Sequence, residues 1–220
     1  MVDLVRAQPR ILMRRLYVIS VAAALIVGIA VGIVLHNSLS AGGAKAQPPL
    51  LPALYGQATW KAGRVAAPAF TLRDQHGKRV SLAAYRGRTV VLLFMDSLCR
   101  NECPVEGKLL AAALKPLPAA AKPAVLIVSV NLKDTPATVA MAAHHWNLPQ
   151  GFEWLLGTHA QLAPVWSAYN IAVQPTKNGG VDHSSAFYVI DPHGNERAGF
   201  ISPFIPGLLE HDLRMLAPAA

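Results

Sequence analysis

Apolar residues after position 65 fall into short runs that are separated by polar, turn-forming segments. Two of these runs, Thr89–Met95 and Val125–Val130, are continuously apolar, which is typical of strands that are buried on both faces. Shorter runs flank the turn-forming segments 74–78 and 191–195, and each arrangement predicts a hairpin. The shorter strands are predicted over Phe70–Leu72, Val80–Leu82, Ala186–Ile190 and Arg197–Phe200, with one more over Phe152–Leu156.

Four helices are predicted around these strands, over Pro104–Leu114, Thr135–Trp146, Thr158–Tyr169 and Pro206–Leu216. The first has a proline near its start, and the second has Thr135 as an N-cap followed by a proline, which are common helix-start signals. Strands that alternate with helices and end in a hairpin and a helix indicate an α/β layer fold. We therefore predict a thioredoxin-like domain, with three layers around a central mixed sheet, over residues 65–220.

The N-terminal pattern is different, because residues 16–35 form an uncharged run that is almost entirely apolar. A helix of this length reaches roughly 30 Å, which is the thickness of a bilayer core. We therefore predict a single transmembrane anchor over residues 16–36, preceded by a basic segment over residues 1–15.

Charge gives this anchor an orientation. Residues 1–45 contain five Lys or Arg residues and one Asp, and four of the five basic residues precede the apolar run. The positive-inside rule places residues 1–15 in the cytoplasm and the remainder across the membrane. A short Arg-bearing start suits a bacterial inner membrane, so the domain is expected in the periplasm. A cleaved signal peptide is the alternative, since Ala44–Ala46 resemble a cleavage site, although the apolar run exceeds the usual ~7–15 residues.

Composition and charge limit the functions that the remainder of the chain can have. Residues 37–64 begin with a stretch rich in Ala, Gly, Ser and Pro, which predicts a linker between membrane and domain. Residues 46–220 carry 15 Lys or Arg against 11 Asp or Glu, without a basic cluster. Nucleic-acid binding requires a concentrated basic surface, so this function is not expected.

The chain has two cysteines, Cys99 and Cys103, which follow a predicted central strand and precede Pro104. The helix start provides unpaired N–H groups and a positive dipole end, both of which favour the reactive thiolate. A structural disulfide is one alternative, but so short a loop contributes on the order of 2 kcal/mol or less. A second alternative is that the cysteines are ordinary buried apolar residues. The polar character of the loop argues against this alternative, since it contains Asp96, Ser97, Arg100, Asn101 and Glu102. The pattern favours a redox-active or metal-binding pair.

The spacing of the pair bears on its chemistry. Thioredoxin-like oxidoreductases usually have two residues between their cysteines, whereas three separate Cys99 from Cys103. Two thiolates suit Cu(I), and a third donor is needed for Cu(II) or zinc. His183 is the candidate third donor, because it precedes the strand Ala186–Ile190 at the sheet edge where the cysteines are expected. The alternative is that His183 is an ordinary surface residue of a loop.

Other candidates are weaker. His144 and His145 are adjacent on a predicted helix and are expected to face solvent. Pro175 precedes a threonine, as the cis-proline of thioredoxins does, but its position predicts a loop proline.

The motifs together resemble those of the Sco/SenC family. The similarity consists of the Cys99-x-x-x-Cys103-Pro motif after an apolar strand, and of Asp182-His183-Ser184 before a strand that ends in Ile-Asp-Pro-x-Gly. Two further stretches, residues 70–77 and 129–136, are similar to that family as well. The resemblance covers residues 65–216.

This resemblance implies a copper-binding thioredoxin-like protein that helps to mature the CuA site of cytochrome c oxidase. Cys99, Cys103 and His183 take the positions of the copper ligands, for Cu(I) or Cu(II). The implied partners are the CuA-bearing oxidase subunit, or another exported copper protein, and a periplasmic copper donor. The chain departs from the family at Arg100, Asn101 and Asn131, which make the local charge more positive.

Two functions remain open. A membrane-anchored metallochaperone would pass copper by ligand exchange, and this is more an assembly role than an enzymatic one. A thiol-disulfide oxidoreductase would use the same cysteines to reduce an exported, copper-receiving protein. A peroxiredoxin-type peroxidase is disfavoured, because Asp96 stands where that class has a threonine.

Overall fold

The computed structural model describes residues 27–33, 53–177 and 180–218. The chain divides into two compact units, Met1–Leu51 and Pro52–Ala220. In the first unit residues 27–33 are helical, and no helix within the described ranges is long and apolar enough to cross a membrane. The predicted basic segment 1–15 and most of the predicted anchor 16–36 lie outside the described residues.

The strands of the second unit are β1 (Ala58–Thr59), β2 (Thr71–Asp74), β3 (Arg79–Ser81), β4 (Val90–Met95), β5 (Ala124–Ser129), β6 (Glu153–Leu156), β7 (Val173–Pro175), β8 (Val181–His183), β9 (Ala186–Ile190) and β10 (Glu196–Ile201). Eight of them form a mixed sheet in the order β1-β10-β9-β4-β5-β6-β2-β3. The central strand β5 is parallel to both β4 and β6, whereas β9 is antiparallel to β4 and to β10. Strands β7 and β8 form a separate small hairpin.

Four α-helices cover the two faces of this sheet. They are α1 (Glu102–Leu114), α2 (Pro136–Trp146), α3 (His159–Ala168) and α4 (Pro206–Met215). Two short 3-10 turns, Leu82–Tyr85 and Ala119–Ala121, complete the regular structure of the described residues. Helices and sheet form the α/β layers that the sequence predicts, and the hairpins fall where the turn-forming segments indicate.

The core consists of two apolar clusters, one on each face of the sheet. In β4, Val91, Leu93 and Met95 join the cluster beneath α1, α2 and α4, while the alternate residues join the cluster beneath α3. All six β4 residues are buried, as expected for a strand whose side chains alternate between two covered faces. The carboxyl end of β4 is thereby fixed at one edge of the sheet, and the cysteine loop begins there.

The structure differs from the sequence prediction in part of the proposed linker, residues 37–64. Ala58 and Thr59 form β1, an edge strand paired with β10, and the buried Asp212 carboxylate accepts hydrogen bonds from the Tyr55 and Gly56 N–H groups at 2.8 and 3.0 Å. These contacts hold a segment whose sequence has no apolar pattern. Its conformation is therefore fixed by tertiary contacts with β10 and Asp212.

The hairpin of β7 and β8 was not predicted, and Pro175 is the last residue of β7 rather than a loop proline. Its strands have three residues each, which is too short for a period-two pattern to be recognised. Helix α1 also begins earlier than predicted, at Glu102. Cys103 therefore lies within the first turn of α1.

Candidate metal centre

Cys99 lies in the loop that joins β4 to α1. Its N–H group donates to the Asp96 carbonyl at 3.1 Å, and its Sγ accepts from the Cys103 N–H at 3.5 Å. The loop therefore turns the Cys99 sulfur back onto the start of α1, where the helix presents unpaired N–H groups. Both cysteines are free thiols.

The two thiols are chemically unequal. The pKa of Cys99 is lowered to about 5, first by a hydrogen bond from the Cys103 thiol and then by backbone N–H groups of the helix start, against the opposing effect of burial. The pKa of Cys103 is raised, because its proton is held by Cys99 and because the side chain is buried. At neutral pH the pair therefore consists of a Cys99 thiolate and a Cys103 thiol.

Cys103 is more buried than the polar loop sequence indicates. Only 1% of the residue is exposed, and it belongs to the apolar cluster on the α1 face, whereas Cys99 is half-buried at the margin of that cluster. The sequence argument against buried cysteines is thus wrong for Cys103. The polar residues beside it face solvent because helical periodicity turns its side chain inward.

His183 is the last residue of β8, and the hairpin places its imidazole against Cys103. The distance from His183 Nε2 to Cys103 Sγ is 3.8 Å. On the other side of the ring, Nδ1 lies 3.0 Å from the Ser184 carbonyl oxygen. A carbonyl oxygen only accepts, so Nδ1 carries the proton and the Nε2 lone pair is directed to the cysteine pair.

These donors fit a soft metal ion. Sulfur and imidazole nitrogen bind ions such as zinc at about 2.0 to 2.3 Å, so atoms up to about 4.4 Å apart can share one ion. The 3.8 Å between Cys103 Sγ and His183 Nε2 falls within this limit. In the described part of the chain no three His, Cys, Asp or Glu side chains already surround a common point. The two thiols and the imidazole are the chemistry that Cu(I) and Cu(II) prefer.

A direct contact joins the two halves of the site. Ser185, two residues after His183, donates through its hydroxyl to the Glu102 carboxylate at 3.0 Å. The Ser184 side chain also accepts from the Ala172 N–H at 3.0 Å and so ties the β8 end to the segment before β7. The segment directly after the histidine is therefore tied to α1 through Ser185 and to the start of the hairpin through Ser184.

A buried network of hydrogen bonds stabilises the cysteine loop where it leaves β4. Asp96 accepts from the Leu98 N–H at 2.8 Å and from the Asn131 side-chain amide at 2.9 Å. Asn131 thus provides a neutral donor at a position where the sequence comparison with the Sco/SenC pattern expects an aspartate. Its contact fixes the first turn of the loop.

Asp134 is a second support, which the sequence analysis missed. Its carboxylate accepts from the Ser97 N–H at 3.1 Å, from the Ser97 hydroxyl at 2.5 Å and from the Ser129 hydroxyl. Burial is the main reason that the pKa of Asp134 is raised, to about 6. The group lies on the loop after β5, next to β4, and only the parallel pairing of these strands brings it to Ser97.

Glu106 is the other residue that the sequence analysis missed. It lies one turn after Cys103 on α1, is 2% exposed, and its Oε1 atom has no hydrogen-bond partner among the described residues. Burial, followed by the Cys99 charge, raises its pKa to about 8. A carboxylic acid that is largely protonated at neutral pH therefore lies one helical turn from Cys103. Its spacing of three residues from Cys103 could have indicated that both side chains lie on the same face of the helix.

The remaining histidine predictions agree with the structure. His144 and His145 are exposed on α2, as the sequence predicts. The structure places Cys103 in contact with both Cys99 and His183.

Comparison with known proteins identifies relatives over most of the second unit. A family model described as SCO1/SenC matches residues 60–204, which is more than half of the chain. The chain is 26% identical over 136 residues to Protein sco1 of Schizosaccharomyces pombe, with 57% of this chain and 51% of that protein covered. The chain thus spans about half the length of this curated relative.

Two solved structures extend the comparison. Bradyrhizobium japonicum ScoI with copper bound is 26% identical with a TM-score of 0.58, and the match covers 69% of this chain and 99% of that one. BsSco, described with a disulfide switch and as a member of the Sco family of cytochrome c oxidase assembly proteins, is 21% identical with a TM-score of 0.59, covering 69% and 93%. These likenesses confirm the thioredoxin-like fold with its mixed central sheet.

Proposed function

This chain belongs to the SCO1/SenC family, and from that premise we propose that it binds copper through Cys99, Cys103 and His183. Copper is then a cargo that the protein receives and passes on. The family membership and the copper-bound ScoI relative support the choice of metal. The donor set supports it independently, because two sulfurs and one imidazole suit Cu(I) and Cu(II).

The observation that carries this proposal is the approach of His183 Nε2 to Cys103 Sγ at 3.8 Å. Nothing in the fold requires an imidazole lone pair to face a buried thiol. The contact needs two elements, α1 and β8, that are about 80 residues apart in sequence, and each is anchored by its own polar contacts. A preorganised donor pair of this kind lowers the cost of ordering ligands when a metal binds.

The asymmetry of the thiols suggests the order of events. The Cys99 thiolate is half-buried and is available first, and Cys103 must release its proton before it becomes the second sulfur ligand. Cys99 and His183 are the more accessible donors, so an incoming thiolate or imidazole of an acceptor can replace them one at a time. Copper would then move without being released into water.

The acceptor that we propose is the CuA-bearing subunit of cytochrome c oxidase or another exported copper protein. The description of BsSco as an oxidase assembly protein supports this class of acceptor. The apolar run over residues 16–35 and the arginines before it support a membrane-anchored, periplasmic location, with a periplasmic protein as copper donor.

Thiol-disulfide exchange is the second candidate, and the lowered pKa of Cys99 favours it. The Cys99 thiolate would attack a disulfide of an exported protein and displace one of its sulfurs as a thiolate. Cys103 would then attack Cys99, which releases the second partner sulfur and leaves a Cys99–Cys103 disulfide. The partner gains two electrons, and a thiol reductant must restore the pair.

Copper titration of the reduced full chain separates the two functions. We expect one Cu(I) or Cu(II) per chain, and we expect His183→Ala to weaken Cu(II) binding by at least about 100-fold, since it removes a direct ligand rather than an outer-shell group. Disulfide exchange with a model substrate should change little. His144→Ala removes an exposed imidazole and is the matched control. Absence of stoichiometric copper binding by the reduced wild-type chain would refute the metallochaperone proposal.

A further inference from the structure

A cavity lies beside β1, β10 and β9 at the edge of the sheet, on the face opposite to α4. It has a volume of about 310 Å³ and is bordered by the three strands and by the end of α3. We call it the β10 groove and define it by Trp60, Tyr169, Tyr188, Glu196 and Gly199. None of these residues belongs to the metal centre.

The groove contains a carboxyl group that has no counter-ion among the described residues. Glu196 is 7% exposed, and its side chain forms no hydrogen bond or ion pair within residues 53–177 and 180–218. The neighbouring Arg197 does not neutralise it, because that guanidinium is bound to the Asp191 carboxylate at 3.4 Å and to the Trp60 carbonyl at 3.1 Å. Burial accordingly raises the pKa of Glu196.

Aromatic rings form the walls around this carboxyl group. The Trp60 and Tyr188 rings lie 6.3 Å apart with an interplanar angle of 30°, and the Tyr169 and Tyr188 rings lie 5.3 Å apart. Tyr188 is fixed by a hydrogen bond from its hydroxyl to the Tyr169 carbonyl at 2.6 Å. Gly199 leaves room for the indole, since a Cβ atom there would lie 3.2 Å from Trp60.

The charge and the walls indicate one class of ligand. The faces of tryptophan and tyrosine rings attract cations, and a carboxylate without a counter-ion attracts them more strongly. An alkyl stem would pack on the rings while its charged end reaches Glu196. A metal dication is a poorer fit, because such ions take six or more oxygen ligands and the groove offers a single carboxylate.

We propose that the β10 groove is a binding site for an alkylammonium or alkylguanidinium group, with Glu196 as the counter-ion and Trp60 and Tyr188 as the aromatic walls. Such a group is available on small organic cations and on the lysine and arginine side chains of other polypeptides. The groove extends along β10 to Ile201, whose strand partner is Ala186, three residues after His183. A polypeptide bound there would lie beside the hairpin that carries the metal-centre histidine.

Binding can be measured on the full chain in a non-ionic detergent through the indole N–H signals of ¹⁵N-labelled tryptophan. Trp60 is half-buried, whereas Trp146, Trp154 and Trp166 are 5%, 0% and 6% exposed. Titration with N-acetyl-lysine methylamide is expected to shift the Trp60 signal in a saturable manner, with a Kd on the order of 1 mM. The neutral analogue N-acetyl-norleucine methylamide should not do so.

Two variants test the assignment of the counter-ion. Glu196→Gln should weaken lysine-amide binding about ten-fold, while Glu210→Gln, which removes the same charge from the exposed face of α4, should leave it unchanged. Unaltered signals of the three buried tryptophans report that each variant is folded. If Glu196→Gln does not fold, Tyr188→Leu replaces it, with a similar loss expected from removal of the ring.

The source of the cation is decided by comparing the capped lysine with a five-residue peptide that has lysine at its centre. Equal affinities would identify a site for small cations, and tighter peptide binding would identify a polypeptide partner. Equal shifts with the norleucine analogue, no saturable shift with lysine, or undiminished binding by Glu196→Gln would each overturn the proposal. Copper is absent from all of these titrations, so their outcome is independent of the metal-centre proposal.

Discussion

At the scale of single residues, the site depends on an inequality between two identical side chains. Cys99 accepts hydrogen bonds at the start of α1 and is half-buried, whereas the Cys103 thiol donates a hydrogen bond to Cys99 and is 1% exposed. The two cysteines are four residues apart in sequence, and this separation is enough to place one sulfur in the loop and the other inside the first turn of α1, where the electrostatic surroundings differ. One thiol is thereby ready as a nucleophile or ligand, and the other keeps its proton until a metal or disulfide replaces it.

Alkylation measures this inequality directly. Because the pKa of Cys99 is lowered to about 5, its rate of reaction with iodoacetamide should reach half of its plateau near pH 5, rather than near the ~8.5 of an ordinary cysteine. Cys103→Ala removes the thiol donor, so the midpoint should move upward. Peptide mass spectrometry after timed labelling identifies the modified cysteine. A wild-type midpoint near that of a free cysteine would contradict the assigned polarity.

At the scale of elements, the site is an assembly of a strand end, a helix start and a hairpin. The loop after β4 is braced by Asp134, which lies on the loop after β5, and α1 is joined to the end of β8 through Glu102 and Ser185. Each element alone would leave its donor without a fixed position. The parallel pairing of β4 and β5 is what brings Asp134 to Ser97.

Removal of the Asp134 brace should loosen the cysteine loop. Asp134→Ala leaves the Ser97 N–H, the Ser97 hydroxyl and the Ser129 hydroxyl without this acceptor. We expect the free energy of unfolding to fall by about 1–3 kcal/mol and the alkylation midpoint of Cys99 to rise. Urea unfolding and timed labelling provide the two readouts.

Glu210→Ala is the control for that experiment, because it removes a carboxylate whose contact is an ion pair with Arg214 on the surface of α4. Its expected cost is about 0.5 kcal/mol or less, without an effect on Cys99. A midpoint of Cys99 that stays unchanged in Asp134→Ala would show that the brace stabilises the fold but does not position the thiol.

At the scale of the whole molecule, the metal centre and the core share one helix face. Cys103 and Glu106 both point from α1 into the region that β4, α2 and α4 enclose. A buried carboxyl group in such a place affects the stability of the entire domain. Its protonation therefore links global unfolding to pH.

The sign of this link follows from the raised pKa of Glu106. The folded protein holds the proton up to about pH 8, whereas the unfolded chain releases it near its ordinary pKa of about 4.3. The stabilising contribution is fully present below that value and is lost as the pH rises through about 8. Glu106→Gln should remove this dependence and should be more stable than the wild type at pH 9, by on the order of 2 kcal/mol.

Urea unfolding between pH 5 and pH 9 measures the effect, with the cysteines kept reduced and copper absent. Glu210→Gln changes the net charge equally and should retain the wild-type decline in stability. A parallel pH dependence for Glu106→Gln and the wild type would show that this carboxyl group titrates normally.

The amino-acid sequence by itself determined the order of the main strands and helices, and it predicted Cys99, Cys103 and His183 as candidate donors. The reason is that these features are local. The apolar run of β4, the Thr135 cap of α2 and the spacing of Cys99 and Cys103 can each be recognised within one short segment of sequence. The tertiary structure alone decided the pairing of β1 with β10, the β7–β8 hairpin, the burial of Cys103 and the support from Asp134. These depend on contacts between segments distant in sequence, whose free energy comes from packing and from buried polar groups that must find partners.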